Sequence, residues 1–305
     1  MTWLAVLLAL VAALVFSFGA VAQQQEAASV DARGSGFVTG LLRSPRWWAA
    51  TVGDGCGYLL QAAALGVGSI LVVQPLLIAS LVFSLPLSAR WNARPVRNRD
   101  LAWAGLIAVG LATFLLVGNP GGGRSRNDFH HWVPSIVGCL ILVVLGLVVA
   151  FTTGARGRGV GLAIIAGTLF GLASALTKTL VFQLDHGIEP LLRSWETYTL
   201  IGAGAVGLLC QQLAFQAGSL EISFPAAVVL DPVISVAIGI AALNERVRAD
   251  GTEWVLIGLS GLAMISGTIA LARAGAPTPT TQTEEGTTPP SPPPAAPRTP
   301  ERFPS

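Results

Sequence analysis

Charge is what this sequence has least of. Asp, Glu, Lys and Arg make up 11% of its 305 residues, while 52% are hydrophobic. A soluble domain carries about 25% charged residues, so this chain cannot cover a water-facing surface and reads as an integral membrane protein. The net charge is only +2, and the arginines are scattered among loops, which leaves no basic face for nucleic acid. Lysine occurs once, at Lys178, beside seventeen arginines, the bias of a high-GC bacterial genome. Cysteine occurs three times, at Cys56, Cys139 and Cys210, each inside an apolar run. An odd number of embedded thiols is neither a disulfide framework nor a zinc site. No nucleophile–base set and no metal-ligand spacing lies in the apolar segments, so neither enzyme chemistry, a cofactor nor a metal is expected. Gly121-Gly122-Gly123-Arg124-Ser125 is no phosphate loop, because the Gly-Lys-Ser/Thr ending and the preceding strand are missing. Asp128, His130 and His131 resemble a ligand cluster but fall in what reads as an outer loop.

What the chain does have is one stretch stated twice. Leu59–Pro75, LLQAAALGVGSILVVQP, lies over Leu209–Pro225, LCQQLAFQAGSLEISFP, at an offset of 150 without a gap. Gln61, Gly68, Ser69 and Pro75 fall on Gln211, Gly218, Ser219 and Pro225, and Gly57 falls on Gly207. Ala, Leu and Gly match cheaply in apolar sequence; Gln and Pro at a fixed offset do not. Phe16–Gln24 also sits over Phe170–Lys178, at an offset of 154. The shared plan is a helix with an embedded Gln, a Gly-Ser break, and an apolar segment with an internal Pro.

Apolar runs divide the chain into about nine spans: Trp3–Ala22, Trp47–Leu65, Ser69–Ala89, Leu101–Gly118, Trp132–Phe151, Gly161–Val181, Trp195–Ala217, Ile222–Leu243 and Trp254–Ala272. Ala20-Val21-Ala22 mimics a signal-peptidase site, but no positive region precedes the run, so the first helix reads as retained. The expected fold is an all-α polytopic bundle of two inverted repeats. Residues 1–118 hold helices one to four, 119–158 a connector with helix five, and 159–273 helices six to nine. Residues 274–305, rich in Pro and Thr, form a disordered tail. Five helices separate equivalent elements, and an odd number inverts the second unit, the arrangement that builds a midplane site between opposed halves. Arg in alternate loops counts ten against five, which puts the amino terminus outside the inner membrane and the tail in the cytoplasm.

These features resemble the drug/metabolite transporter superfamily, in its EamA-like and NIPA-like branches and in an actinobacterial type. The resemblance rests on the ending Gly19–Gln25, the Trp47-Trp48 entry, Gln61…Gly68-Ser69…Pro75 with its second copy, Leu243-Asn244-Glu245-Arg246, and Gly258-Leu259…Gly261. It covers about residues 1–272 and implies a secondary transporter of small metabolites or drugs. The chain departs from the family in helix number, since many members have ten, and in lacking an acid after helix three, where Arg90-Trp91-Asn92 stands. The NIPA branch implies a magnesium carrier with an acid in helix two, where Asp54 lies.

A charge at the bilayer centre costs at least ~2.5–3.5 kcal/mol, so embedded ionisable groups are candidates for function. Asp231 stands about 14 Å into helix eight at the helical rise of 1.5 Å per residue. Pro232 follows it and withholds an N–H from the carbonyl of Val228. Asp54 stands about 10 Å into helix two, among Gly53, Gly55 and Gly57. Lys178, near the end of helix six, either snorkels to the interface or pairs with Asp231 or an anionic substrate. Gln61, Gln211 and Gln212 either line a pathway or bond between helices. Tyr58 and Trp195 either stack on an organic substrate or anchor packing. Gly68, Ser69, Pro75, Gly218, Ser219, Pro225 and Pro232 are the expected hinges. Glu221 and Glu245, at helix ends, read as solvated boundary residues. The expected partners are the bilayer, a small-molecule substrate and a proton as coupling ion; a homodimer is compatible with the sequence. A divalent-cation carrier, and a membrane scaffold docking partners through its Pro-rich tail, are the alternatives.

Overall fold

The computed structural model describes residues 3–29, 43–92, 97–123, 128–217 and 220–275. Eleven helices and one two-residue ladder lie within them: α1 Trp3–Ser29, α2 Pro45–Val67, α3 Ile70–Leu77, α4 Ala79–Asn92, α5 Asn98–Gly118, β1 Gly121–Gly122, α6 Phe129–Thr152, α7 Ala155–Leu184, α8 Ile188–Arg193, α9 Trp195–Ala217, α10 Leu220–Ala241, β2 Glu245–Arg246 and α11 Glu253–Gly275. Gly218, Ser219 and the segment 276–305 lie outside the described residues, and with the last goes the expected tail.

Five helical segments are long and apolar enough to cross a membrane: Ile70–Leu87, Asn98–Gly118, Phe129–Thr152, Gly157–Leu184 and Glu253–Leu271. Shorter apolar stretches occupy Trp3–Gly19 of α1 and Ala227–Ala241 of α10. Large apolar side chains face outward along these helices, among them Val137, Leu140, Ile141, Val144 and Leu145 of α6. A water-soluble protein does not display such a surface. The molecule is an all-α membrane bundle.

Its axis is α7. This helix packs against α2, α6, α9 and α10, and its face toward the bundle is polar and small. Gly167 and Gly171 recur four residues apart on that face. A Cβ on Gly167 would meet Leu230 Cβ at 2.8 Å, and one on Gly171 would meet Ile234 Cβ at 2.7 Å and the Asp231 carbonyl at 2.8 Å. Absent side chains at these positions let the α10 backbone touch α7, the usual device of helix pairs in lipid. On the other side α6 crosses α7 where Gly146 and Gly161 oppose each other. α1 packs on α2, and α5 on α11. The main apolar core joins these elements through Leu65, Ile70, Val73, Leu172, Leu176, Ile238 and Leu243.

Several boundaries differ from the sequence expectation. α1 continues past Ala22 to Ser29 because Gln23, Gln24, Gln25, Glu26 and Ala27 are helix formers despite their polarity. The expected third helix is divided at Ile78 into α3 and α4. α6 begins at Phe129, so His130 and His131 stand in its first turn and not in a loop. The Gly-rich connector pairs antiparallel with the segment after α10, Gly121 opposite Arg246 and Gly122 opposite Glu245.

Candidate functional site

Two polar groups lie inside this apolar bundle. The first joins α2, α7 and α10. Gln61, buried on α2, donates from Nε2 to Ser174 Oγ of α7 at 3.1 Å. Ser174 Oγ in turn reaches Asp231 Oδ1 of α10 at 3.5 Å. The same Oδ1 receives Ser235 Oγ at 3.2 Å, one turn further along α10. Ser235 also touches the carbonyl of Gly171 at 3.2 Å, which is reachable because residue 171 has no side chain. One turn from Gln61, Tyr58 hydrogen-bonds Thr177. Thr177 donates to the carbonyl of Ala173 at 2.8 Å, so the phenol supplies the proton in the Tyr58–Thr177 bond. Residues 171, 174, 177 and 178 recur at helical spacing and place all these partners on one face of α7.

The second group is centred on Glu245, which is 1% exposed. Its Oε1 accepts the backbone N–H of Ile70 at 2.9 Å and its Oε2 that of Leu71 at 3.0 Å. The side chain of Lys178 pairs with Oε1. The first N–H groups of a helix have no partner within it, and here Ser69, in the N-cap position, makes no side-chain cap. A carboxylate 175 residues away takes that role. It also meets the positive end of the helix dipole. Two glycines make room for it. A Cβ on Gly123 would lie 2.6 Å from Glu245 Cγ, and one on Gly239 would lie 3.3 Å from Oε2. Gly123 also holds φ +88°, a left-handed conformation.

These positions revise several expectations. Glu245 is not a solvated boundary residue; α3 and Lys178 hold it in the interior. Lys178 neither snorkels nor pairs with Asp231, because its carboxylate partner is Glu245. Trp195 is a packing anchor, edge-on to Phe129 at 5.1 Å and to Trp132 at 5.7 Å. Asp54 is half-buried on α2 against Gly19 of α1, where a Cβ would overlap its carboxylate. Gln211 and Gln212 are half-buried on α9, outside the hydrogen-bonded seam. Gly68 lies against Ala5, Ser69 and Pro75 are buried, and Pro232 is half-buried beside Asp231. Pro225 falls within α10. Ser174, Thr177, Ser235 and Glu245 were not singled out from the sequence as site residues. Their signal was local: Ser174, Thr177 and Lys178 share a helical face, and a lone embedded lysine calls for a carboxylate.

Fold and site together define a helical membrane protein with a polar, partly ionised interior. The chain belongs to the same family as the uncharacterized protein Cgl0250/cg0304 of Corynebacterium glutamicum, to which it is 35% identical over 275 residues, 88% of this chain and 95% of that one. No family model and no solved structure matches it.

Proposed function

We propose that this protein is a secondary transporter of the drug/metabolite type. In this reading it moves a small organic solute across the inner membrane by alternating access, coupled to protons through Asp231. The observation that carries the reading is the seam Gln61–Ser174–Asp231–Ser235, which links three helices through a carboxylate inside an apolar bundle. Embedded carboxylates held by hydroxyls are costly in lipid, and they mark substrate or proton pathways.

Two units of one plan support the same reading. An offset of 150 carries α2, Pro45–Val67, onto α9, Trp195–Ala217, and carries Ile70 onto the first residue of α10. Gly57 of α2 faces the ring of Phe16 on α1, and Gly207 of α9 faces the ring of Phe170 on α7. These four residues correspond in the sequence repeat, so the same contact occurs in both halves. α1 to α5 then make one unit, α7 and α9 to α11 the other, and α6 the connector. Nine spans follow when α3 and α4 count as one crossing, with the amino terminus outside. In this reading the Glu245 contact with α3 and Lys178 is one that alternating access would have to break. A protonated Asp231 holds a cationic solute weakly; an ionised one holds it well.

The test is flux of amino acids, quaternary amines, nucleosides and Mg²⁺ in proteoliposomes under an imposed pH gradient, with Asp231→Asn beside the wild type. Gradient-driven flux of an organic solute that the variant loses is the expected result. Flux unchanged in the variant removes Asp231 from the mechanism. Flux of Mg²⁺ alone moves the protein to the cation-carrier reading, and silence across the panel in folded protein favours a scaffold.

A further inference from the structure

The start of α6 carries a group that the polar seam does not use. Asp128, His130 and His131 each offer one ligand atom, and these atoms all lie within 4.8 Å of one another. Successive helical residues diverge by about 100°, yet the two imidazoles lie 4.0 Å apart, tilted at 42°. Asp128 occupies the N-cap position of α6, where an aspartate ordinarily accepts a backbone N–H from the first turn. Here its side chain makes no such bond. The Nδ1 atom of His131 is buried and has no hydrogen-bond partner. A buried ring nitrogen without a partner is unfavourable, and a bound metal ion would satisfy it.

The platform beneath these ligands is rigid. Phe129 and Trp132 flank the two histidines in sequence and both pack edge-on to Trp195 of α9. Trp132 is fully buried. The turn is thus clamped on either side of its two histidines, part of the preorganisation a metal site needs. His131 also borders a cavity of about 660 Å³ lined by Gly121, Gly123, Asn244, Arg246 and Arg248.

We propose that Asp128, His130 and His131 form a binding site for a divalent transition-metal ion of the Zn²⁺ class. Two imidazoles and one carboxylate are the donor set of three-ligand zinc sites with an open position, and imidazole selects Zn²⁺, Cu²⁺ or Ni²⁺ over Mg²⁺ or Ca²⁺. Tetrahedral ligands about 2.0–2.1 Å from zinc lie roughly 3.4 Å apart. Binding therefore draws the ligand atoms together by about an ångström, within reach of two exposed side chains, Asp128 and His130. The site is separate from Asp231, so its presence or absence leaves the transport reading untouched.

Equilibrium dialysis of the full chain in detergent micelles against Zn²⁺ alone tests it. The expected result is one ion per chain, with affinity reduced at least about hundredfold in His130→Ala/His131→Ala, a larger loss than an outer-sphere change produces. His186→Ala removes the third histidine of the chain and should leave binding unchanged. Co²⁺ substitution should give the visible bands of a low-coordinate nitrogen–oxygen site without thiolate charge transfer, which separates it from capture by the exposed Cys56. Helix content by circular dichroism in the metal-free variant, equal to wild type, assigns the loss to ligands and not to unfolding; should that variant unfold, the Co²⁺ spectrum of wild type decides. Absence of stoichiometric binding, retention of it in the double variant, or a thiolate spectrum overturns the proposal.

Discussion

Removing the Glu245 carboxylate should be among the most damaging single changes available in this protein. Glu245→Ala strips Lys178 of its counter-ion and leaves the N–H groups of Ile70 and Leu71 without their acceptor. Both ends of the ion pair are buried, Lys178 at 7% exposure. Breaking a buried pair from one side costs ~3–5 kcal/mol, because the surviving charge stays desolvated. Lys178→Met should cost less, about 2 kcal/mol, since the carboxylate keeps two charge-assisted bonds from the α3 N-terminus. Lys178→Met with Glu245→Gln removes both charges and keeps one amide oxygen for the helix end, so it should lie within about 2 kcal/mol of wild type. Lys178→Met alone, Glu245→Gln alone and the double variant form, with wild type, a cycle in which the double change costs less than the sum of the single ones. SDS-titrated unfolding in mixed micelles, followed by far-ultraviolet circular dichroism, measures it. A Glu245→Ala cost under about 1 kcal/mol, or strict additivity across the cycle, would refute the reasoning that this end of the bundle is held by charge.

Two further outcomes follow from the geometry. Gly123→Ala forces a Cβ to 2.6 Å from Glu245 Cγ at a backbone φ of +88° and should lower stability by ~1–3 kcal/mol; Gly121→Ala, with open space around it, should change the thermal midpoint little. Ser174→Ala cuts the link between Gln61 and Asp231 at a stability cost of about 0.6–1.7 kcal/mol, and should alter the pH profile of proteoliposome exchange out of proportion to that cost; an unaltered profile would make Ser174 a packing residue only.

Helices that fill an apolar run were legible because length and hydropathy are local properties. α5 ends at Gly118 and α9 runs from Trp195 to Ala217 as the runs indicate. Boundaries set by propensity instead of hydropathy were not legible. The Gln-rich end of α1 is polar and helical at once, and α7 begins at Ala155, ahead of its apolar stretch Gly157–Leu184. Asp231 stood out because an acid deep in an apolar run is rare. Its partners did not, since serine and threonine are common in membrane helices and only packing against α7 shows which of them matter. Glu245 was read as solvated because it ends an apolar run before Arg246 and Arg248. Its burial depends on a helix start at Ile70 and on small residues at 123 and 239, and of these Ile70 and Gly123 are far from it in sequence. The choice of Lys178 partner was opaque for the same reason: the face of α7 that meets Asp231 lies one turn earlier, at Gly171 and Ser174.

The remote cap on α3 also bears on how the chain is made. Ribosomes deliver about 5–20 residues per second, and 175 residues separate Ile70 from the carboxylate that completes its helix start. For roughly 10–35 s of synthesis the segment after Gly68-Ser69 therefore has two backbone donors and no acceptor from its own N-cap side chain. Until the last quarter of the chain arrives, water and lipid headgroups are the acceptors open to that helix end.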